Sequence, residues 1–171
     1  MPAPKNDITA EFVRCVFDYD AATGQLIWKT IPRSKRGGNS RAGKIAGNVF
    51  TNGYRYVKIK GRYYLVHRLI HLHQTGTWPA GKIDHASGNT LDNKKIREAN
   101  DSQNGFNRGK QKNNRSGFKG VSWHEEGKRW RAQVVAYGKY RHLGLFKTKK
   151  EAHAAYCKAA KELHGEFANF G

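Results

Sequence analysis

Acidic residues are scarce in this chain: 13 Asp and Glu stand against 32 Lys and Arg in 171 residues, a formal charge of +19. Such an excess of cations self-repels unless a polyanion neutralises it, so double-stranded DNA or another nucleic acid is the expected partner. Cysteine is nearly absent. Cys15 and Cys157 lie far apart with no CxxC pair, which argues against a disulfide framework or a zinc ribbon and fits a reducing, intracellular compartment. No apolar run of membrane-spanning length and no signal-peptide pattern occurs, so no membrane partner is expected. The length allows one ordinary domain or two small ones.

Residues 1–7 hold two prolines and no periodicity, as a frayed end does. Apolar residues Ile8, Phe12, Val13, Val16 and Phe17 then fall at helical spacing, with Asp7 or Thr9 as cap. Residues 18–24 read as a turn and 25–29 as a strand. Between 29 and 47 the cations Lys29, Arg33, Lys35, Arg36, Arg41 and Lys44 alternate with Gly37, Gly38 and Gly43, with no acid among them. Such a loop tracks phosphates, or is simply solvated in the free protein. Residues 53–67 form two β-rich runs joined at Lys60-Gly61, a hairpin signal that runs into a short helix ended by Gly76 and Pro79. His67, His71 and His73 in that helix invite a metal reading, but no zinc-site pattern follows them.

The chemistry concentrates in residues 82–107. Asp84 and His85 are adjacent, a polar turn with Gly88 follows, and Ser102-Gln103-Asn104 comes later. An Asp carboxylate and an Asn amide oxygen are hard ligands of the kind Mg²⁺ or Mn²⁺ takes. A neighbouring imidazole, with an ordinary pKa near ~6.5, accepts a proton from water at neutral pH. Taken singly, each of these residues is also an ordinary turn or helix-cap residue, and only their joint order points to chemistry.

Over residues 12–107 the chain resembles the HNH endonucleases of the homing or phage type, whose site is a ββα-metal motif. The resemblance rests on the 18–28 segment, the hairpin, His67-Arg68, Gly76-Thr77-Trp78-Pro79, Asp84-His85, Asp92-Asn93, Arg97-Glu98-Ala99 and Ser102-Gln103-Asn104. It implies that Asp84 and Asn104 hold the divalent metal and that His85 is the general base. One departure stands out. The family's central Asn-Leu pair is missing between Asp92-Asn93 and Arg97, which leaves Asn93 or Asn89 to orient the base.

Residues 108–116 are basic, polar and without apolar side chains, as in a linker, and Arg108, Lys110 and Lys112 suit the DNA backbone. Three strands are expected after it, over 118–123, 129–135 and 139–146. A helix follows, opened by the capping box Thr148 to Glu151, carrying one apolar face of Ala152, Ala155, Tyr156, Ala159, Ala160 and Leu163, and closed by Gly165 in a left-handed cap. Alternation turns Trp130, Ala132, Val134 and Leu143 toward the helix and Arg131, Gln133, Tyr140 and His142 away from it. A cationic, polar sheet face enters the major groove, where Arg reads guanine and Gln reads adenine; a solvated face has the same composition.

Lys119-Gly120-Val121, Trp130-Arg131-Ala132, His142-Leu143-Gly144-Leu145-Phe146 and Glu151-Ala152 through Ala160 make residues 117–170 similar to the APETALA-type DNA-binding domain. The resemblance implies DNA contacts by Lys119, Ser122, His124, Arg131, Gln133, Tyr140 and His142. Ser122, Tyr140 and His142 stand where the family often has Arg or Trp, so base preference does not carry over. The expectation is an α+β chain: a ββα-metal nuclease domain over 1–107 with its core at 53–107, a basic linker at 108–116, and a three-stranded antiparallel sheet on one helix over 117–171. As an intracellular, metal-dependent endonuclease it would use Mg²⁺ or Mn²⁺; one site per chain favours a monomer that nicks DNA, whereas a dimer would cut both strands. A non-enzymatic DNA-binding protein derived from a decayed nuclease is the alternative.

Overall fold

The computed structural model describes residues 7–29 and 41–171. The expected frayed end, apart from Asp7, and the Arg33, Lys35 and Arg36 part of the basic loop lie outside the described residues. The chain divides into two compact units, Met1–Glu98 and Ala99–Gly171.

In the first unit the Thr9 hydroxyl accepts the Phe12 amide and opens α1, Ala10–Val16. Strands β1, Phe17–Asp20, and β2, Gln25–Trp28, pair antiparallel with Phe17 opposite Trp28. Phe17, expected in the helix, and residues 18–20, expected in a turn, are therefore strand, with Phe17 fully buried in the core. Strand β3, Asn48–Val49, pairs with β4, Arg55–Ile59, which pairs with β5, Arg62–Leu65. Lys60 and Gly61 both have positive φ, the turn that a two-residue hairpin favours. Helix α2, Val66–Thr75, ends at Gly76 in the left-handed conformation. Val13, Phe17, Leu26, Val66, Leu69 and Ile70 are core residues. Shortening Leu69 to Ala would cost about 2–5 kcal/mol.

Strands β6, Lys82–His85, and β7, Ile96–Ala99, form a two-stranded sheet, and helix α3, Asp101–Phe106, follows. Arg68 holds the approach to β6, donating to the Pro79 and Gly81 carbonyls at 3.1 and 3.0 Å.

The second unit has strands β8, Val121–His124, β9, Arg129–Ala136, and β10, Lys139–Phe146, antiparallel with β9 in the centre. Helix α4, Lys149–His164, starts in the expected capping box. Ala152, Ala159 and Ala160 are buried, and their small side chains let α4 approach the sheet closely. Gly120 is required by that closeness, since a Cβ there would stand 2.1 Å from the Tyr156 ring. Gly165 ends the helix at φ 55 and ψ −127, outside the expected left-handed helical cap, and begins a 3₁₀ turn.

Helix α3, assigned from its sequence to the nuclease part, lies in the second unit, and so does the segment 108–116. The reason is packing. Phe106 stacks on His164 with ring centroids 3.9 Å apart and meets Tyr137 edge-on. Asn169 donates to the Asn107 carbonyl at 2.8 Å, and the Lys119 amine donates to the Phe106 and Asn169 carbonyls at 2.8 and 2.9 Å. A fragment of residues 99–171 is therefore expected to unfold cooperatively at a higher denaturant midpoint than one of residues 113–171, which lacks Phe106 and Asn107. Equal midpoints in urea would refute that anchoring.

Candidate nucleic-acid interface and histidine site

The sheet of the second unit has one face under α4 and one face open. Ala132 and Val134 are 0% and 1% exposed on the covered face, and Val121 faces Ala132 beside them. The register then sets Ser122 opposite Arg131, His124 opposite Arg129, His142 opposite Gln133 and Tyr140 opposite Val135 on the other side. The Arg131 Nε donates to the Ser122 hydroxyl at 3.2 Å, which holds the guanidinium along the sheet. His124 accepts the Gly127 amide at its Nδ1, 3.0 Å away, and is partly committed to its turn. Six of the seven sheet residues expected to meet DNA thus share the open face.

Lys119 does not join them. Its amine is spent on the Phe106 and Asn169 carbonyls, and burial pushes its pKa down to about 8. It braces α3 and the C-terminal residues within this unit. Periodicity could not reveal this, because the partners are main-chain carbonyls.

The basic segment is shaped by local bonds. Asn114 accepts the Gly117 amide and donates to the Phe118 carbonyl, while the Lys110 amine donates to the Gly117 carbonyl. Arg108, Lys110, Lys112 and Arg115 are exposed. Arg108, Lys110 and Arg115 line a groove of about 840 Å³ together with Gln133 and Tyr140 of the sheet. Cations and the polar sheet face therefore border the same space.

In the first unit the histidine site is buried. Asp84, His85 and Asn93 are 4%, 5% and 4% exposed. Asn93 Oδ1 lies 3.0 Å from His85 Nε2. An amide oxygen only accepts, so the bond requires the proton on Nε2 and leaves the lone pair on Nδ1. Burial holds the His85 pKa below its ordinary value, opposed by the Asn93 bond and the Asp84 charge. The ring is thus neutral at pH 7, the state a base needs. Asn89, the other amide expected near the base, is exposed and closes its own turn through the Leu91 and Asp92 amides.

Asp84 Oδ2 receives the Arg97 Nε at 2.9 Å and Nη2 at 2.8 Å. The carboxylate is a hard donor that suits Mg²⁺ or Mn²⁺, and Arg97 is the competitor such a cation meets there. Asn104 lies on α3 in the second unit, where its main-chain N–H donates to the Asn100 carbonyl at 2.9 Å as part of the helix. Among the described residues no group of three or more His, Cys, Asp or Glu side chains is placed to hold a metal ion. His67 packs edge-on against His85 and Tyr54, whereas His71 pairs with Glu98 at 3.1 Å. Sequence reasoning missed Tyr54, His67 and Arg97 as neighbours of the site, since only the fold brings them to Asp84-His85.

Burial, with His85 and Arg68 adding to it, lowers the His67 pKa from 6.5 to about 3. Between those values the unfolded chain takes up a proton that the folded chain refuses, so stability is full above pH 6.5 and is lost as pH falls. His67 is expected to cost the first unit about 2 kcal/mol between pH 7 and pH 5. Urea unfolding at both pH values checks this: His67→Gln should flatten the difference, and an unchanged slope would refute it.

Residues 116–166 match the AP2 domain family, so the open sheet face belongs to a DNA-binding domain. The chain belongs to the family of Protein 3.8 of Escherichia phage T7, with which it is 39% identical over 90 residues, covering 52% of this chain and 74% of that protein. Neither finding assigns an activity to residues 82–107. No solved structure matches the chain. No helix among the described residues is long and apolar enough to cross a membrane.

Proposed function

We propose that this is an intracellular protein that binds double-stranded DNA through the open face of its AP2 sheet, with Arg131 and Gln133 as the base-reading residues. The observation that carries the reading is the placement of Ser122, His124, Arg131, Gln133, Tyr140 and His142 on one uncovered face of a domain of that family. The sheet face reads bases, and Arg108, Lys110, Lys112 and Arg115 neutralise phosphates beside it. Selection of bound duplexes from a random pool by the full chain tests this. An enriched sequence is expected, and no enrichment over unselected DNA would refute base reading.

The His85–Asn93 bond favours a second activity on the same DNA, phosphodiester hydrolysis by the first unit. His85 would take a proton from water at Nδ1 while Asn93 holds Nε2–H and the ring's orientation. Within this unit Asp84 is the oxygen ligand the HNH resemblance assigns to a Mg²⁺ or Mn²⁺ ion, which when bound would supply charge neutralisation at phosphorus. One such site per chain suits a monomer that nicks. Supercoiled plasmid with Mg²⁺, Mn²⁺ or EDTA separates the readings: metal-dependent relaxation supports hydrolysis, and intact plasmid under all three conditions leaves a DNA-binding protein alone.

A further inference from the structure

The β1–β2 hairpin meets the loop between β6 and β7 at the backbone of Asn93 and Lys94. The Tyr19 hydroxyl donates to the Asn93 carbonyl at 3.0 Å. At the same peptide, Gly24 is buried at φ 71, and a Cβ there would lie 2.6 Å from the Lys94 nitrogen and 3.0 Å from the Asn93 carbonyl carbon. The hairpin presents these two groups because its turn is closed by Asp20, which accepts the Ala22 amide at 2.9 Å and the Thr23 hydroxyl at 2.6 Å. Phe17 and Leu26 tie the same strands into the core at 0% exposure. Tyr19 therefore stands on a rigid element, and its bond to residue 93 spans 74 positions of sequence.

We propose that this hairpin is a positioning device for His85: Tyr19 and Gly24 fix the backbone of Asn93, and the Asn93 amide fixes the tautomer and tilt of the imidazole. Neither residue touches the ring, so both act through Asn93. On the HNH resemblance the central Asn-Leu pair is missing, which leaves the ring to Asn93. Asn93 lies in a loop whose neighbours Asn89 and Asp92 bond within their own turn, so its bond to the ring is only as well placed as that loop. Clamping that loop from outside supplies the missing rigidity. The consequence for cleavage rests on the hydrolytic reading above; the consequence for the ring does not.

The test uses the full chain labelled with ¹⁵N-histidine, read by long-range proton–nitrogen correlation, which separates the two tautomers of His85. The wild type is expected to show Nε2–H alone. Tyr19→Phe, which removes one hydroxyl, and Gly24→Ala, which forces the hairpin off the loop, are both expected to give mixed tautomers. In single-turnover nicking both should fall about 10-fold with DNA affinity unchanged, the usual loss when a supporting hydrogen bond around a site is removed. If Gly24→Ala does not fold, Tyr19→Phe decides. A wild-type spectrum in Tyr19→Phe alongside a mixed one in Asn93→Ala would overturn the proposal. Mixed tautomers in a protein that never nicks DNA would support the clamp and sink the hydrolytic reading instead.

Discussion

Alanine at both Arg131 and Gln133 is expected to lower the affinity of the full chain for its selected duplex by at least about 30-fold. Each bidentate pairing with a base edge discriminates by about 1–3 kcal/mol, and two at the lower end already sum to about 2 kcal/mol. Affinity for unselected DNA should barely change, because that term comes from phosphates. The substitutions are safe for the fold: both side chains lie on the face opposite Ala132 and Val134, so the packing against α4 is untouched. Arg108→Ala or Lys112→Ala should behave in the opposite way, weakening all sequences alike and reducing the salt slope by about 0.9 for each phosphate no longer neutralised. Anisotropy titrations on selected and scrambled duplexes measure both. A uniform loss in the double variant would show that the sheet face reads no bases.

His85→Ala should reduce metal-dependent nicking by about 10²- to 10⁴-fold while DNA affinity stays within about twofold. On the hydrolytic reading His85 acts on a proton in transit, and a ring 5% exposed offers no surface to DNA that binding would miss. Asn93→Ala should lose about 10- to 100-fold, because Nε2–H then has no amide oxygen to hold it. Single-turnover assays under saturating enzyme separate these values. Cleavage at the wild-type rate in His85→Ala would place the chemistry elsewhere in the chain.

The C-terminal unit was largely legible because its signals are local. A capping box, an alanine stripe and alternation along β9 each involve residues close in sequence, and the inward and outward faces of β9 and β10 follow from them. Lys119 escaped because its partners, the Phe106 and Asn169 carbonyls, have no side-chain signature. The same is true of α3, whose short sequence carries a cap but gives no hint that Phe106 stacks on His164. In the first unit the sequence supplied Asp84, His85 and two candidate amides but could not choose between them. Only the folded loop distinguishes Asn93, turned inward to the ring, from Asn89, spent on its own turn. Arg97 on Asp84 was hidden for another reason: an Arg thirteen positions on in a β-rich segment has many acids within reach, and register alone selects one.

The most direct measurement is the affinity of the full chain for a duplex of unselected sequence as a function of salt. Neutralisation of phosphates by the exposed cations of the AP2 unit predicts a straight line of log affinity against log salt, falling by about 0.9 for each phosphate engaged and therefore steeply when several cations bind. A flat line, or no binding at low salt, would contradict a DNA-binding protein altogether.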